Sequence, residues 1–552
     1  MFSSGIRGKP GRPFCSGDVR LSTGLWAKSG RLSLLDQVCR LDRRFPYAIV
    51  TLLMVVAALL RLPYLANRPL WFDELYQVSI SAAPTLSELL DRLVRTDRNP
   101  PMYALVLRAA WGLTRGISRG EIAARWLSFA AGVATVGLAW RVGRIWFGRR
   151  AAIALSLLVT VSPPFVFYSR EARPYATGTF LVFAVLAAAA RARRRQTSRA
   201  ALVAVALLCA SWQYASIPVT LSILLSSAIW DWRRHEKGVR PTRFWLLAIV
   251  AVLVVSLMQV YIVMRPQLTF KKDDAFFADY YYQLNTTPEF LRFAARQVFQ
   301  FWQYLLHGSD CWWRQKPVYA LAAAPLLLGV ATSCRRPGRG WALVLLNILP
   351  TSFFLLTAGL HLHPFGGIRH CLPLAPGVLV LYAAGLIRLR RLWKPAGDLL
   401  LALSVAIAFT STLEVPPNMH THDVPGVLRE LKSQCLPGDR LVVNGYGEPS
   451  AVYYTRELGI KLDGITVLGD EPSEFDDSAV RSLAHSLDPW KPASKPVVSS
   501  PLFGPSGRCW LLGLDISAPV EMTRPLAERG EKRLEIHRFR ANASLWTLRS
   551  PR

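Results

Sequence analysis

The chain has 552 residues, 52% of them hydrophobic, with 18 Trp and a formal net charge of +30. That is too apolar for one soluble domain and too long for a single core. The positive charge falls in short clusters between apolar runs rather than on one face of one domain, which argues against nucleic-acid binding and for the loops of a membrane protein.

Residues 1–44 are rich in Gly, Arg and Ser and contain no long apolar run, so they read as a disordered cytoplasmic tail. No small-residue cleavage site follows the first apolar run, so it is not read as a cleavable signal. Apolar runs lie at about 46–62, 122–140, 151–168, 175–190, 200–213, 215–230, 244–264, 317–333, 341–360, 371–387 and 397–413. Every second connection is basic: Arg40 to Arg44, Arg141 to Arg150, Arg191 to Arg195, Arg233 to Arg240, Arg335 to Arg339, and Arg388 to Lys394. The positive-inside rule makes that side cytoplasmic. Residues 101–114 are also apolar, but a crossing there would break the alternation, so they are expected to lie as a helix in the outer interface. The expectation is a polytopic α-helical membrane protein of about 11 transmembrane helices over 45–414, N-terminus inside and C-terminus outside.

Four informative outer segments follow. Residues 63–121 carry Asp73, Glu74 and Asp97. A tight turn from Tyr168 to Tyr175 carries Arg170, Glu171 and Arg173. Residues 265–316 hold Lys271-Lys272-Asp273-Asp274 and many Tyr and Trp, read as an aromatic belt rather than a sugar platform. The last, from His361 to His370, includes His363 and Arg369. From about 415 the composition changes to that of a small extracytoplasmic α/β domain, 415–552, with helices expected at 425–434 and 450–457 and strands near 438–443, 509–515 and 544–549. It has no glycine-rich phosphate loop and no nucleophile elbow, so a lid or docking role is expected. Among the eight Cys there is no CxxC; Cys209 reads as a small hydrophobe, and Cys435 and Cys509 are open as a disulfide or as two thiols.

Carboxylates kept at a membrane face are costly to desolvate and mark function. Arginine's planar fork suits phosphate. Acids and arginines together at headgroup level point to a phosphate-bearing substrate and a hydroxyl partner. Plainer readings compete: Glu171 as a structural ion pair with Arg170 or Arg173, and His361, His363 and His370 as interfacial histidines rather than ligands of a divalent metal.

The order of the motifs resembles the GT-C superfamily of membrane glycosyltransferases, near glycosyltransferase family 39, which includes protein O-mannosyltransferases and lipid A aminoarabinose transferases. The matching pieces are Leu70-Trp71-Phe72-Asp73-Glu74, Asp97-x-Asn99-Pro100-Pro101-Met102-Tyr103, Ser169-Arg170-Glu171-Ala172-Arg173-Pro174-Tyr175 and Pro364-Phe365-Gly366-Gly367-x-Arg369-His370. The resemblance spans about 45–415. Relatives commonly carry His where this chain has Asn99, which cannot titrate near neutrality. The resemblance implies inverting transfer of a sugar from a polyprenyl phosphate to an acceptor hydroxyl of a protein, lipid A or a glycan at the outer face of a bacterial inner membrane. It implies Asp73 as general base, with Glu74 and Asp97 positioning the acceptor or tuning Asp73. Arg173 and Arg369, with Arg170, would hold the donor phosphate. Glu171 would orient Arg173 or touch sugar hydroxyls, and Tyr175, His370 and Asn99 would contact sugar or position it. The competing functions are a flippase for a lipid-linked sugar, a polysaccharide ligase, and a structural membrane protein with a partner-binding outer domain.

Overall fold

In a computed structural model the protein is described over residues 34–45, 47–66, 68–97, 99–114, 120–192, 196–234, 240–268, 278–282, 287–308, 316–334, 339–414, 423–444, 448–468, 505–514, 530–538 and 541–548. The expected tail over 1–33, the Lys271-Lys272-Asp273-Asp274 stretch and the basic residues Arg193 to Arg195, Lys237, Arg335 and Arg336 lie outside the described residues.

The helices begin with α1 (Leu34–Arg44), α2 (Ala48–Arg61), α3 (Phe72–Ser81), α4 (Leu86–Thr96) and α5 (Met102–Thr114). Next come α6 (Gly120–Trp146), α7 (Arg149–Val161), α8 (Pro163–Phe167), α9 (Tyr175–Ala192), α10 (Arg199–Ala210) and α11 (Ser216–Arg234). They continue with α12 (Arg240–Gln259), α13 (Arg265–Leu268), α14 (Thr287–His307), α15 (Lys316–Cys334) and α16 (Arg339–Gly359). The last four are α17 (Ala375–Leu392), α18 (Lys394–Glu414), α19 (Val424–Lys432) and α20 (Glu448–Glu457).

By length and composition, six helices among the described residues can cross a membrane: α6, α9, Arg243–Gln267, Trp341–Gly359, Arg369–Leu392 and α18. Two bent pairs, α1 with α2 at 113° and α7 with α8 at 63°, raise this to eight if each is one span. The protein is therefore multi-pass. The expected figure of about 11 is finer than this: over their described residues the remaining runs give the shorter apolar helices Arg199–Ala210, Ser216–Asp231 and Ala322–Cys334.

Two expectations are corrected. Residues 34–44 are helical, not part of a disordered tail. Leu35 and Cys39, one turn apart, are buried against the helical core, and Asp36 is ion-paired with Lys394 at 2.7 Å, Arg150 at 2.9 Å and Arg390 at 3.2 Å. These pairs also bring three of the basic clusters to one end of the molecule. Residues 287–307 are an amphipathic helix whose aromatic face is packing, not a belt: Trp302 stacks on Tyr382 of α17 with ring centroids 4.9 Å apart, and Phe301 and Tyr304 are buried beside it.

The helical core wraps around α6, which lies against α2, α7 and α9, while α17 packs between α15 and α7. Small residues set the closest crossings. A Cβ at Gly385 would sit 1.7 Å from the Pro325 carbonyl oxygen of α15, so only glycine lets α17 approach that closely. A Cβ at Gly132 of α6 would meet Ser169 Oγ at 1.9 Å, so this glycine admits the turn that precedes α9.

The C-terminal part is a five-stranded sheet in the order β2-β1-β3-β5-β4. Its strands are β1 (Arg440–Asn444), β2 (Gly464–Leu468), β3 (Arg508–Leu514), β4 (Gly530–Arg538) and β5 (Ala541–Leu548). β1 runs parallel to β2 and β3, and β5 antiparallel to β3 and β4. α19 covers one face with Val427, Leu428 and Leu431 against Leu441, Val443, Trp510 and Leu512. Cys435 and Cys509 are both free thiols. The domain docks onto the helical part through α20: Tyr454 Oη accepts the Leu70 N–H at 2.7 Å, and Tyr453 packs on Leu70, Leu75, Val78 and Ala172.

Candidate active site

The site is built where the chain leaves α2 and enters α3. Trp71, in extended conformation, caps α3, and its backbone N–H donates to Glu74 Oε2 at 3.2 Å, the backbone half of a capping box. Asp73 and Glu74 thus sit in the first helical turn, where the helix dipole favours carboxylates. Consecutive helical residues point about 100° apart, so the two acids meet different surroundings.

Glu74 faces inward and is fully buried. Arg125 of α6 grips it with a fork: Nε donates to Oε1 at 2.7 Å and Nη2 to Oε2 at 2.6 Å. The other Arg125 donors go to the carbonyls of Leu65 at 3.1 Å, Arg68 at 2.6 Å and Pro69 at 2.8 Å, so all five N–H groups are used. Oε1 of Glu74 also accepts the Ala172 N–H at 2.8 Å. This joins the first motif to the turn before α9. Arg68 completes a buried layer, 3.6 Å from Glu74 and 3.8 Å from Glu171, and donates to the Arg170 carbonyl at 3.1 Å. Burial pushes the Glu171 carboxyl up to about 7; the Arg68 charge opposes the rise and the Glu74 and Asp73 charges add to it.

Asp73 points the other way and keeps 19% of its side chain exposed, against none for Glu74 and Glu171. Its Oδ2 lies 2.8 Å from Arg369 Nη2, the ion pair that joins the first and last motifs. Arg369 is held over the rings of Trp71, at 5.2 Å, and Tyr175, at 5.8 Å. Arg173 donates to the Asp73 backbone carbonyl at 3.3 Å and lies 3.7 Å from Asp97 Oδ1. Asn99 donates to the same Asp97 oxygen at 2.8 Å. His370 packs edge-on to Tyr175 with ring centroids 5.9 Å apart. Behind Tyr175, Tyr168 and Tyr304 share a hydroxyl hydrogen bond of 2.8 Å.

Asp73, Asp97, Asn99, Arg173, Tyr175, Arg369 and His370 therefore gather in one cluster, with Glu74 and Glu171 buried behind it. Arg170 does not join them: its guanidinium donates to the Leu60 carbonyl and covers the Tyr64 ring. The sequence reading missed Arg68 and Arg125. A signal for Arg125 was present, because an arginine inside an apolar span needs a partner. Of the three histidines, His363 and His370 meet edge-on with ring centroids 6.1 Å apart, while His361 stacks on Tyr281 and His363 Nδ1 bonds the Pro364 carbonyl at 2.9 Å. Among the described residues no group of three or more His, Cys, Asp or Glu is placed to hold a metal ion.

The family model described as dolichyl-phosphate-mannose-protein mannosyltransferase matches residues 98–261. No curated protein sequence matches the chain. The fold is that of ArnT from Cupriavidus metallidurans in the apo state, with a TM-score of 0.55 at 14% identity over 90% of this chain and 97% of that one. The structure of the same protein bound to undecaprenyl phosphate aligns with a TM-score of 0.50 at 14% identity, over 91% of this chain and 98% of that one. The match covers nearly the whole of both chains.

Proposed function

We propose that this chain, a GT-C-type membrane protein by its fold and its family match, is an inverting glycosyltransferase. In this reading it moves a sugar from a polyprenyl-phosphate donor to an acceptor hydroxyl at the face opposite its basic end. The observation that carries the reading is the Asp73–Arg369 pair with Arg173 beside it: one partly exposed carboxylate flanked by two guanidinium groups. The undecaprenyl phosphate found on the ArnT relative supports the same donor class here.

The chemistry needs one base and a place for phosphate charge. The acceptor oxygen attacks the anomeric carbon from the side opposite the phosphate, and Asp73 takes the hydroxyl proton as the bond forms. The bond from the anomeric carbon to the phosphate oxygen breaks, and its electron pair leaves with the lipid phosphate. The phosphate is a weak base and needs no acid, only cations. Arg369 and Arg173 supply them as charge-assisted donors. A donor phosphate draws Arg369 off Asp73 Oδ2, so donor binding itself frees the base. Glu74, fully occupied by Arg125 and the Ala172 N–H, acts by fixing the start of α3. Asp97 and Asn99 hold Arg173, and Tyr175 and His370 line the sugar side.

The eleven-span arrangement is part of the same proposal. The apolar helices α10, α11 and α15 complete the count, the basic end faces the cytoplasm of a bacterial inner membrane, and the sheet domain lies outside as a lid over α3.

The test is release of polyprenyl phosphate by the purified full-length protein in lipid, given a panel of polyprenyl-phosphate sugars and an envelope extract as acceptor. Turnover with one donor, with a raised donor KM in Arg173→Ala, is the expected result. Absence of turnover with every donor, together with donor-dependent flipping in vesicles, would replace the transferase by a flippase.

A further inference from the structure

At the basic end, where α6, α15, α16 and α17 separate, the structure holds a cavity of about 310 Å³. Ile145, Trp146 and Phe147 at the end of α6, Leu343 of α16, and Ala384 and Ile387 of α17 form an apolar, partly aromatic wall. Thr332 and Ser333 at the end of α15 add two hydroxyls, and Arg388 and Arg391 close the side toward the end of α17. Spaced three apart, these two arginines share one face of α17 with Ala384 and Ile387, so the charge is presented to the cavity.

Their pairing sets them apart from their neighbour. Arg390 is held by Asp36 and Asp398. Among the described residues neither Arg388 nor Arg391 has a carboxylate partner, although both border the same cavity. Two guanidinium groups with no carboxylate partner among the described residues fit an oxyanion with several acceptor oxygens. The apolar wall fits hydrocarbon attached to it. The 18 residues of α17 span about 27 Å at 1.5 Å per residue, close to the thickness of the hydrocarbon core. The cavity is therefore at the headgroup level of the leaflet opposite the Asp73 cluster, and a ligand there cannot be the donor bound for reaction.

We propose that this cavity is a binding site for an anionic phospholipid of the leaflet at the basic end, its phosphate held by Arg388 and Arg391 and its acyl chain laid along the wall formed by Trp146, Phe147 and Ile387. Basic pockets between membrane helices hold anionic lipid headgroups in this way. The site ties α6, α15, α16 and α17 together at an end where they otherwise separate.

The test uses delipidated full-length protein titrated with dioleoyl-phosphatidylglycerol, with dioleoyl-phosphatidylcholine and inorganic phosphate as parallel arms, read as bound lipid by native mass spectrometry and as melting temperature. The expected result is saturable phosphatidylglycerol binding that raises the melting temperature, weakened about tenfold or more in Arg388→Gln/Arg391→Gln. It is also lost in Ala384→Trp, which fills the cavity without touching charge. Arg40→Gln/Arg43→Gln, on the exposed side of α1, leaves it unchanged. Wild-type affinity in Ala384→Trp or in the double arginine variant would overturn the site. Equal binding of phosphatidylcholine would overturn the role of the phosphate charge, and an equal effect of inorganic phosphate would overturn the lipid. Should the arginine variant fail to fold, Ala384→Trp and the three ligand arms decide alone.

Discussion

Asp73 and Glu74 are adjacent in sequence and opposite in circumstance. The carboxylate of Glu74 is desolvated and spent on Arg125, whose three remaining donors fasten the carbonyls of Leu65, Arg68 and Pro69. Breaking a buried pair leaves the remaining charge uncompensated, which typically costs about 3–5 kcal/mol. Arg125→Met is therefore expected to lower unfolding stability by about that much in detergent, whereas Asp73→Asn, at a partly exposed pair, stays within about 1 kcal/mol. Chemical or thermal unfolding of the two variants checks this. Glu171 adds a pH dependence. Its folded carboxyl titrates near 7, above the ordinary range of an unfolded Glu, so the folded state holds this proton more tightly. The contribution to stability is full below about 4.5 and is lost as pH rises toward 7. Stability measured from pH 5 to 8 should fall in wild type relative to Glu171→Gln, with the difference levelling off above 7; a constant difference would contradict the assignment. At this scale the sequence shows which residue types meet in the cluster, and the motif order ranks Asp73 first. It does not separate the inward acid from the outward one, because that depends on Arg125, 51 positions away. Nor does it show that Arg170 turns to Leu60 while Arg173, three residues on, turns to Asp73.

Among the elements, α3 carries the central acid and is held from two sides: from the membrane part through Glu74, and from the sheet domain through Tyr454. Tyr454→Phe removes the acceptor for the Leu70 N–H and leaves a buried donor unpaired, at a cost of about 1–3 kcal/mol. Faster hydrogen exchange at residues 70–75 is the expected outcome, with the sheet domain itself still folded. Helices were legible in the sequence wherever apolar runs were long, as in α6, α9 and α18. They were less legible at α14, whose apolar residues repeat with a helical period among charges and so resemble a loop rich in aromatics. Strand β4, Gly530–Arg538, was missed because its side chains are mostly charged and it lies at the sheet edge, with only β5 beside it. β1 and β3, central and apolar, were legible.

On the scale of the whole molecule, two ends divide the work. One gathers the acids, arginines and aromatic rings of the four motifs; the other gathers three of the basic clusters, with Asp36 clamping α1 to Arg150, Arg390 and Lys394. Asp36→Asn is expected to loosen that clamp and raise protease sensitivity near residues 34–44, without changing donor KM. At the opposite end, under the proposed mechanism Arg369→Ala removes a charge-assisted contact of the donor phosphate, worth about 1.5–3 kcal/mol. Donor KM should rise by roughly 10- to 150-fold with the melting temperature nearly unchanged, as steady-state kinetics over a donor titration would show. The meeting of the Arg40–Arg44, Arg141–Arg150 and Arg388–Lys394 clusters at one end was legible in the sequence, because it follows from charge alone. How many helices cross was less legible, because composition does not register the bends at α1–α2 and α7–α8.

The central claim is that Asp73 takes the acceptor's proton while Arg369 and Arg173 receive the leaving phosphate. Single-turnover release of polyprenyl phosphate, wild type beside Asp73→Asn at saturating donor and acceptor, tests it most directly. The account predicts that the variant binds donor at least as well, because Arg369 is no longer drawn to the carboxylate, and releases product about 10²- to 10⁴-fold more slowly. Release at the wild-type rate by a folded Asp73→Asn protein would contradict it.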